Sequence, residues 1–113
     1  MELAKGRIVQ EYVPGKQITL AHLLRNPRRS LCQSIGVDGA GALGILTITP
    51  GEGSIIAADV ASKAASVRVE FVDRFTGCVL ISGDVSSVET ALRAVVRFMG
   101  EALGFYVAEV TAS

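Results

Sequence analysis

The fold is decided by residues 43–85, which read LGILTITPGEGSIIAADVASKAASVRVEFVDRFTGCVLISGDV. Residues 43–48 form an apolar run of strand length. The Thr49-Pro50-Gly51-Glu52 sequence has the pattern of a capping box with proline in the first helical turn. We therefore expect an Ala-rich helix from there to about residue 65. Its predicted buried stripe consists of Ile56, Val60 and Ala64.

Two strands and a tight turn follow this helix. Residues 67–72 predict a strand with Val67, Val69 and Phe71 on one side, and residues 78–82 predict the returning strand. The turn between them is the DRFTG sequence, Asp73, Arg74, Phe75, Thr76 and Gly77.

A second long helix begins after Gly83-Asp84, where Ser86 and Glu89 have capping-box spacing. Apolar residues then recur at helical spacing up to Leu103, Gly104 is expected to end the helix, and residues 105–110 predict a last strand. The resulting β-α-β-β-α-β order predicts an α+β fold of the ferredoxin-like type, a four-stranded antiparallel sheet with both helices on one face. The other sheet face is left for the N-terminal part or a neighbouring subunit to cover.

The N-terminal part has a different character. Residues 7–13, RIVQEYV, are rich in β-forming residues, but neither side of the run is cleanly apolar, which favours an edge ribbon or a strand that pairs with another copy of itself. Thr19 is a candidate N-cap of a short helix with Leu20, Leu23 and Leu24 on one stripe. A second short helix is expected after it. Asn26 would be its N-cap, Pro27 would lie in its first turn, Leu31 and Ile35 would face inward, and Gly36 would end it; Gly39-Ala40-Gly41 is a flexible joint.

Composition predicts a single domain, residues 1–113, with an N-terminal tail over residues 1–16 and an α/β core over residues 17–113. Half of the residues are hydrophobic and the mean hydropathy is +0.45, so burial between subunits is expected. No apolar run approaches the roughly 20 residues that span a bilayer. The net charge of zero gives no footprint for nucleic acid. We expect neither membrane nor nucleic acid as a partner, and no signal peptide, which makes the cytoplasm the expected compartment.

Catalytic chemistry is poorly represented. His22 is the single histidine, and a structural role among the flanking leucines is more plausible than a role as base or ligand, by roughly four to one. Cys32 and Cys78 stand apart from any metal-binding pattern and are expected to act as small buried hydrophobes. No phosphate loop or dinucleotide fingerprint is present. We therefore predict that the chain is not an enzyme and binds no cofactor or metal.

Several segments resemble one family. Residues 8–24, IVQEYVPGKQITLAHLL, together with residues 44–65, 72–77 and 82–92, are similar to circularly permuted BMC-domain shell proteins of bacterial microcompartments, of the type used in propanediol and ethanolamine utilisation. The resemblance implies a homohexamer that tiles a polyhedral shell. It also implies that the N-terminal strands of six subunits form a small β-barrel on the sixfold axis. The matching segment is Arg7, Ile8, Val9, Gln10, Glu11, Tyr12 and Val13.

The resemblance also assigns contact residues. Lys63 matches the lysine at the edge where shell hexamers meet, Asp59 would orient it, and Ser82 stands where shell domains often carry an edge arginine. The turn Asp73–Gly77 looks shorter than the pore loop of ordinary shell hexamers, and the resemblance implies an axial or interface role for it. The implied partners are other copies of the chain, other shell proteins and the targeting peptides of enclosed enzymes. The alternative is a ferredoxin-like regulatory module of the PII or ACT kind, which would bind a small effector as a dimer or trimer.

Overall fold

A computed structural model describes residues 15–113, so the predicted barrel strand, residues 7–13, lies outside the described residues. These residues form both strands and helices. In order they are β1 (Gln17–Arg25), α1 (Arg29–Ser34), β2 (Ala42–Thr49), α2 (Gly53–Ala64), β3 (Arg68–Asp73), β4 (Cys78–Gly83), α3 (Val85–Leu103), β5 (Tyr106–Val107) and β6 (Thr111–Ala112).

The sheet is larger than the predicted four antiparallel strands. Its order is β3-β4-β2-β1-β5, with β6 also paired to β1. β1 is antiparallel to β2, whereas β5 and β6 run parallel to β1. The prediction was wrong because β1 takes the place beside β2 that the C-terminal strand holds in a ferredoxin-like sheet. The predicted strand over residues 105–110 is also replaced by two short strands.

The prediction of a helix that begins at Thr19 was wrong, because these residues belong to β1. The residues form a nine-residue strand, and a β-bulge lies between Ile18 and Leu20. The extra residue places Ile18, Ala21 and Leu23 on the same side, where each is at most 3% exposed. A regular strand buries every second side chain. Because the bulge places Ala21 three positions after Ile18 on the same side, the spacing of the buried residues resembles that of a helix.

α1 begins at Arg29 rather than at the predicted Asn26-Pro27 start. Its buried side chain is Cys32, at 1% exposure, whereas Leu31 and Ile35, which were expected to face inward, are 42% and 46% exposed. Cys32 packs in a small apolar cluster with Val37 and Leu43. The Leu43 side chain points to the opposite side of β2 from the β2 residues of the main core. α1 therefore covers part of the sheet face opposite α2 and α3.

α3 is close to its prediction. The side chain of Asp84, rather than the Ser86 and Glu89 pair, caps the helix by accepting a hydrogen bond from the Ser87 amide at 2.8 Å. Gly104 ends the helix with φ 72°, as expected. The predicted apolar face is confirmed by its fully buried members, which are Val88, Leu92, Val95 and Met99.

α2 begins at Gly53, so Thr49–Glu52 is not its capping box, and Glu52 makes no side-chain capping bond. Its buried face consists of small residues, Ser54, Ala57, Ala58 and Ala61, whereas Ile56 of the predicted stripe is 43% exposed. Gly53 permits this close packing, because a Cβ there would lie 2.8 Å from the Ile48 side chain. The two isoleucines of α2, Ile55 and Ile56, therefore point away from the core, whereas Val60 is partly buried against it.

Candidate assembly surfaces

The turn between β3 and β4 is held by its first residue. The Asp73 carboxylate accepts hydrogen bonds from the amides of Phe75, at 2.9 Å, and Thr76, at 3.3 Å. The Gly77 amide donates to the Asp73 carbonyl at 2.7 Å. The bond from the Phe75 amide is the main reason why the pKa of Asp73 lies below its ordinary value, with a further contribution from the Thr76 hydroxyl.

The same turn is pressed against the end of β2 and the approach to α2. Gly77 has φ 81°, and a Cβ on it would collide with the carbonyl oxygen of Ile48. A Cβ on Gly51 would likewise collide with the carbonyl oxygen of Arg74. The Arg74 guanidinium lies 5.1 Å from the centre of the Phe75 ring. These close approaches fix the turn as a rigid projection.

An exposed apolar surface lies beside this turn. We call it the turn patch, and it consists of Ile55, Phe71, Val72 and Phe75. These residues line an open groove of about 460 Å³ together with Asp73 and Arg74. Phe75 is 83% exposed, and Phe71, which was predicted to share a side with Val67 and Val69, is 46% exposed because a bulge lies between Val69 and Phe71. Clustered large apolar side chains of this kind mark interaction surfaces.

Two of the predicted edge residues lie on the outer side of α2. The Lys63 ammonium is 2.8 Å from the Asp59 carboxylate, and both side chains are more than half exposed. An i,i+4 pair of this type contributes little to the stability of a helix. The pair is therefore accessible to solvent and contributes little to the stability of its own chain.

Ser82 has a different environment. It is 4% exposed, and its hydroxyl donates to the Glu70 carboxylate at 2.5 Å. Glu70 is also 3.4 Å from the guanidinium of Arg68. Between Ser82 and the Asp59–Lys63 pair, the described part of the chain has no hydrogen bond. The structure therefore brings Asp59 and Lys63 together but places the Ser82 side chain inside its own subunit.

His22 has the structural role that was expected. Its Nδ1 is 2.6 Å from the Thr111 hydroxyl and its Nε2 is 2.8 Å from the Ser113 hydroxyl. These two partners were missed because they follow His22 by about 90 residues, a distance that no local pattern bridges. Cys32 is buried and Cys78 is half-buried. Burial, assisted by the nearby Asp73 carboxylate, raises the pKa of the Cys78 thiol.

Sequence reasoning assigned the turn Asp73–Gly77 an axial or interface role but did not join Ile55, Phe71 and Val72 to it. A signal was present in α2, where two isoleucines adjoin a pair of alanines. Within residues 15–113, no cluster of three metal-binding side chains occurs. No helix in that range has the length and hydrophobicity needed to cross a membrane.

Comparison with known proteins identifies the family. The BMC domain family matches residues 42–112. The chain is 54% identical over 106 residues to the bacterial microcompartment shell protein PduU of Salmonella typhimurium (strain LT2), which covers 93% of this chain and 91% of that protein. Identity to the shell protein EutS of the same organism is 52% over 109 residues, covering 96% and 98%.

A solved structure gives the same answer. The CutR flat hexamer, form 1, is 49% identical to the chain and superposes with a TM-score of 0.86 over 96% of this chain and 100% of that one. The relatives are structural proteins and not enzymes, which confirms the prediction of a non-catalytic role. The match also favours a shell protein over the PII or ACT alternative. The chain belongs to the BMC-domain family of bacterial microcompartment shell proteins.

Proposed function

We propose that the chain forms a cyclic homohexamer that tiles the shell of a bacterial microcompartment in the cytoplasm, with other shell proteins as neighbours. The turn patch is the observation that carries this proposal. Phe75 lies on the rigid turn, Phe71 and Val72 lie on the adjoining strand β3 and Ile55 lies near the start of α2, and all four face solvent in a single subunit. Burying each large apolar side chain against another subunit is worth roughly 1.5–3 kcal/mol. The flat hexamer of CutR supports the sixfold stoichiometry.

The proposed chain order is circularly permuted. The BMC domain match covers residues 42–112, yet β1 and α1 precede it and belong to the same folded unit. β1 lies in the interior of the sheet between β2 and β5 rather than as an appendage. A sheet strand supplied from before the matched region supports a relocation of that element from one end of the domain to the other.

Residues 7–13 would form an axial β-barrel with the same segments of five other subunits. The support comes from the sequence. The run is rich in β-forming residues and has no cleanly apolar side, as a small barrel with one polar surface requires. Closing six strands into a ring also removes their unpaired edges. The barrel would close the axis or present a surface to the targeting peptides of enclosed enzymes.

Contacts between hexamers would use the exposed Asp59–Lys63 pair. Its 2.8 Å geometry holds the lysine in place without burying it. Ser82 would contribute at this edge through its backbone or by shaping the neighbouring loop, because its hydroxyl is bound to Glu70. An edge without a surface arginine at this position would make a weaker contact.

The hexamer is tested by measuring the mass of the purified protein by light scattering, with electron microscopy of concentrated samples. Phe75→Ser should shift the mass toward smaller species. Phe98→Ser is the matched control, because Phe98 is 41% exposed but lies on α3 outside the turn patch. A wild-type dimer or trimer would overturn the hexamer. Equal masses for the two variants would exclude the turn patch from the ring contact.

The barrel needs a separate test. A variant that lacks residues 1–13 should still form hexamers, because the turn patch remains. It should also alter the passage of small solutes through assembled shells or the capture of enclosed enzymes. If hexamer mass, permeability and capture all match the full chain, the barrel has no role.

A further inference from the structure

Residues 105–113, which we call the latch segment, run along the free edge of β1. The pairing is parallel and interrupted, because only β5 and β6 meet β1 in register. Besides the ladder bonds of these two short strands, the segment is tied to the edge by Tyr106 N to Lys16 O (2.9 Å), Ala108 N to Ile18 O (3.0 Å), Ser113 N to Leu23 O (2.9 Å) and Arg25 N to Ser113 O (2.9 Å). The segment is thus attached at its two ends and more loosely in between.

Beyond its first residue, the apolar burial of this segment against the main core is limited to Val110, which is partly buried. Phe105 is 8% exposed, but Tyr106 is 79% exposed and Val107 is 41% exposed. Residues 111–113 are also exposed. Segments with few buried apolar contacts and solvent-exposed backbone bonds open locally at a free energy below that of global unfolding.

His22 clamps the far end of the latch segment. Its ring contacts the hydroxyls of Thr111 and Ser113, which lie two residues apart and thus on the same side of the strand. The Thr111 hydroxyl also lies 3.4 Å from the Ala21 carbonyl, to which it donates. The donor and acceptor roles of the two ring nitrogens depend on the tautomer, but each nitrogen bonds one hydroxyl. One side chain on β1 thus makes both of the side chain to side chain bonds at this end.

The near end is tied differently. Gly104 has φ 72°, which reverses the chain after α3. The Lys16 ammonium donates to the Leu103 carbonyl at 2.6 Å and lies 5.7 Å from the centre of the Phe105 ring. The last turn of α3 has no basic residue of its own, so Lys16 supplies the positive charge that favours a helix C-terminus. The buried ring of Phe105 and this charged contact make the near end the firmer one.

We propose that residues 106–113 of the latch segment open as a unit while Phe105 and the rest of the domain stay folded, and that the His22 clamp sets how often they open. Opening releases the backbone groups of Ile18, Leu23 and Arg25 that now bond the segment. All of these contacts lie within one subunit. The opening is therefore expected in a hexamer or in any other assembly that leaves this edge of β1 uncovered.

Hydrogen exchange of the assembled protein, read by mass spectrometry, tests the latch. In the wild type, residues 106–113 should exchange faster than β2 and α3. His22→Ala removes two hydrogen bonds and should speed exchange of residues 106–113 about tenfold, with no change in β2. Thr19→Ala is the matched control, because Thr19 lies on the same strand and its hydroxyl bonds only Thr47, at 3.4 Å.

The double variant Thr111→Val, Ser113→Ala removes the two His22 bonds from the other side, together with the long Thr111–Ala21 bond, and should speed exchange at least as much as His22→Ala. Two outcomes would overturn the proposal. One is exchange of residues 106–113 at the rate of β2 in the wild type, which would mean that the segment opens only with global unfolding. The other is exchange in His22→Ala that equals exchange in Thr19→Ala.

Discussion

Gly77 and Ile48 are bonded backbone to backbone, since the Ile48 amide donates to the Gly77 carbonyl at 2.9 Å, and no space remains between them for a side chain. Gly77→Ala should therefore lower the free energy of unfolding by at least about 2 kcal/mol. An L-residue at φ 81° costs roughly 1–2 kcal/mol, and the collision with the Ile48 carbonyl adds to this. Urea denaturation measures the change.

Gly39→Ala is the control for this substitution. A Cβ on Gly39 would meet nothing within 4 Å. The control should leave stability unchanged or raise it by up to about 1 kcal/mol, because alanine restricts the unfolded chain. A Gly77→Ala protein as stable as the control would contradict the close approach.

The inward side of α1 can be tested with a pair of adjacent substitutions. Cys32→Ser should lower the free energy of unfolding by about 1–3 kcal/mol, because it puts a hydroxyl among Val37 and Leu43. Leu31→Ser, at a position that is 42% exposed, should change it by less than about 1 kcal/mol. Thermal unfolding of both variants decides the matter. A larger loss of stability in Leu31→Ser than in Cys32→Ser would indicate that Leu31 faces inward, as the sequence pattern predicted.

Acid should weaken the domain through Asp84. The Ser87 amide, and after it the Ser86 hydroxyl, holds the pKa of Asp84 below its ordinary value of 3.8. A pKa lowered by folding contributes stability that is present above the unfolded value and is lost as the pH falls through the folded value. Asp84→Asn keeps a capping side chain but cannot titrate. Its melting temperature should therefore fall less steeply than that of the wild type from pH 4 to pH 2. Equal slopes would contradict this role.

The Asp59–Lys63 pair should matter for assembly and not for folding. Lys63→Ala should change the free energy of unfolding by no more than about 0.5 kcal/mol, because the pair is exposed. Electron microscopy should show hexamers that no longer form extended sheets. Arg93→Ala is the matched control, since it removes an exposed i,i+4 pair with Glu89 at 3.0 Å on α3. Sheets that form equally in both variants would exclude Lys63 from the edge.

The order of elements after residue 42 was predictable because each carries its own local signal. The apolar spacing from Val88 to Met99 marks α3, and Gly104 marks its end. The turn at Asp73–Gly77 has residues that favour turns at both ends. These signals act over a few residues, so reading them requires no knowledge of distant partners.

The position and type of β1 were not predictable in the same way. The bulge after Ile18 breaks the strict alternation of a strand, so the buried side consists of Ile18, Ala21 and Leu23. Leu20 is 39% exposed, and the helical spacing of the leucines therefore does not mark one buried face. The partners that decide the strand, such as Leu46 on β2, lie about 25 residues away. Tertiary pairing overrides the local pattern here.

The candidate surfaces were predictable only in part. Asp59 and Lys63 share an accessible face because a four-residue spacing guarantees it on a helix. Ile56 was placed on one stripe with Val60 and Ala64 by its spacing, whereas the residues that α2 buries are small and allow it to approach the sheet closely. Hydrophobicity alone does not predict which face of a helix is buried within its own subunit.

The position of β1 also orders events during synthesis. β1 is made before every other described strand, yet its outer edge is closed by residues that follow it by 88 to 91 positions. A nascent chain can pair β1 with β2 early, because little chain separates them. The outer edge then waits until nearly the whole domain has left the ribosome, and contacts of such long sequence separation form slowly. Until then each chain carries an unpaired strand edge that could join another chain, so the rate of translation through the last residues bears on how many subunits reach the shell intact.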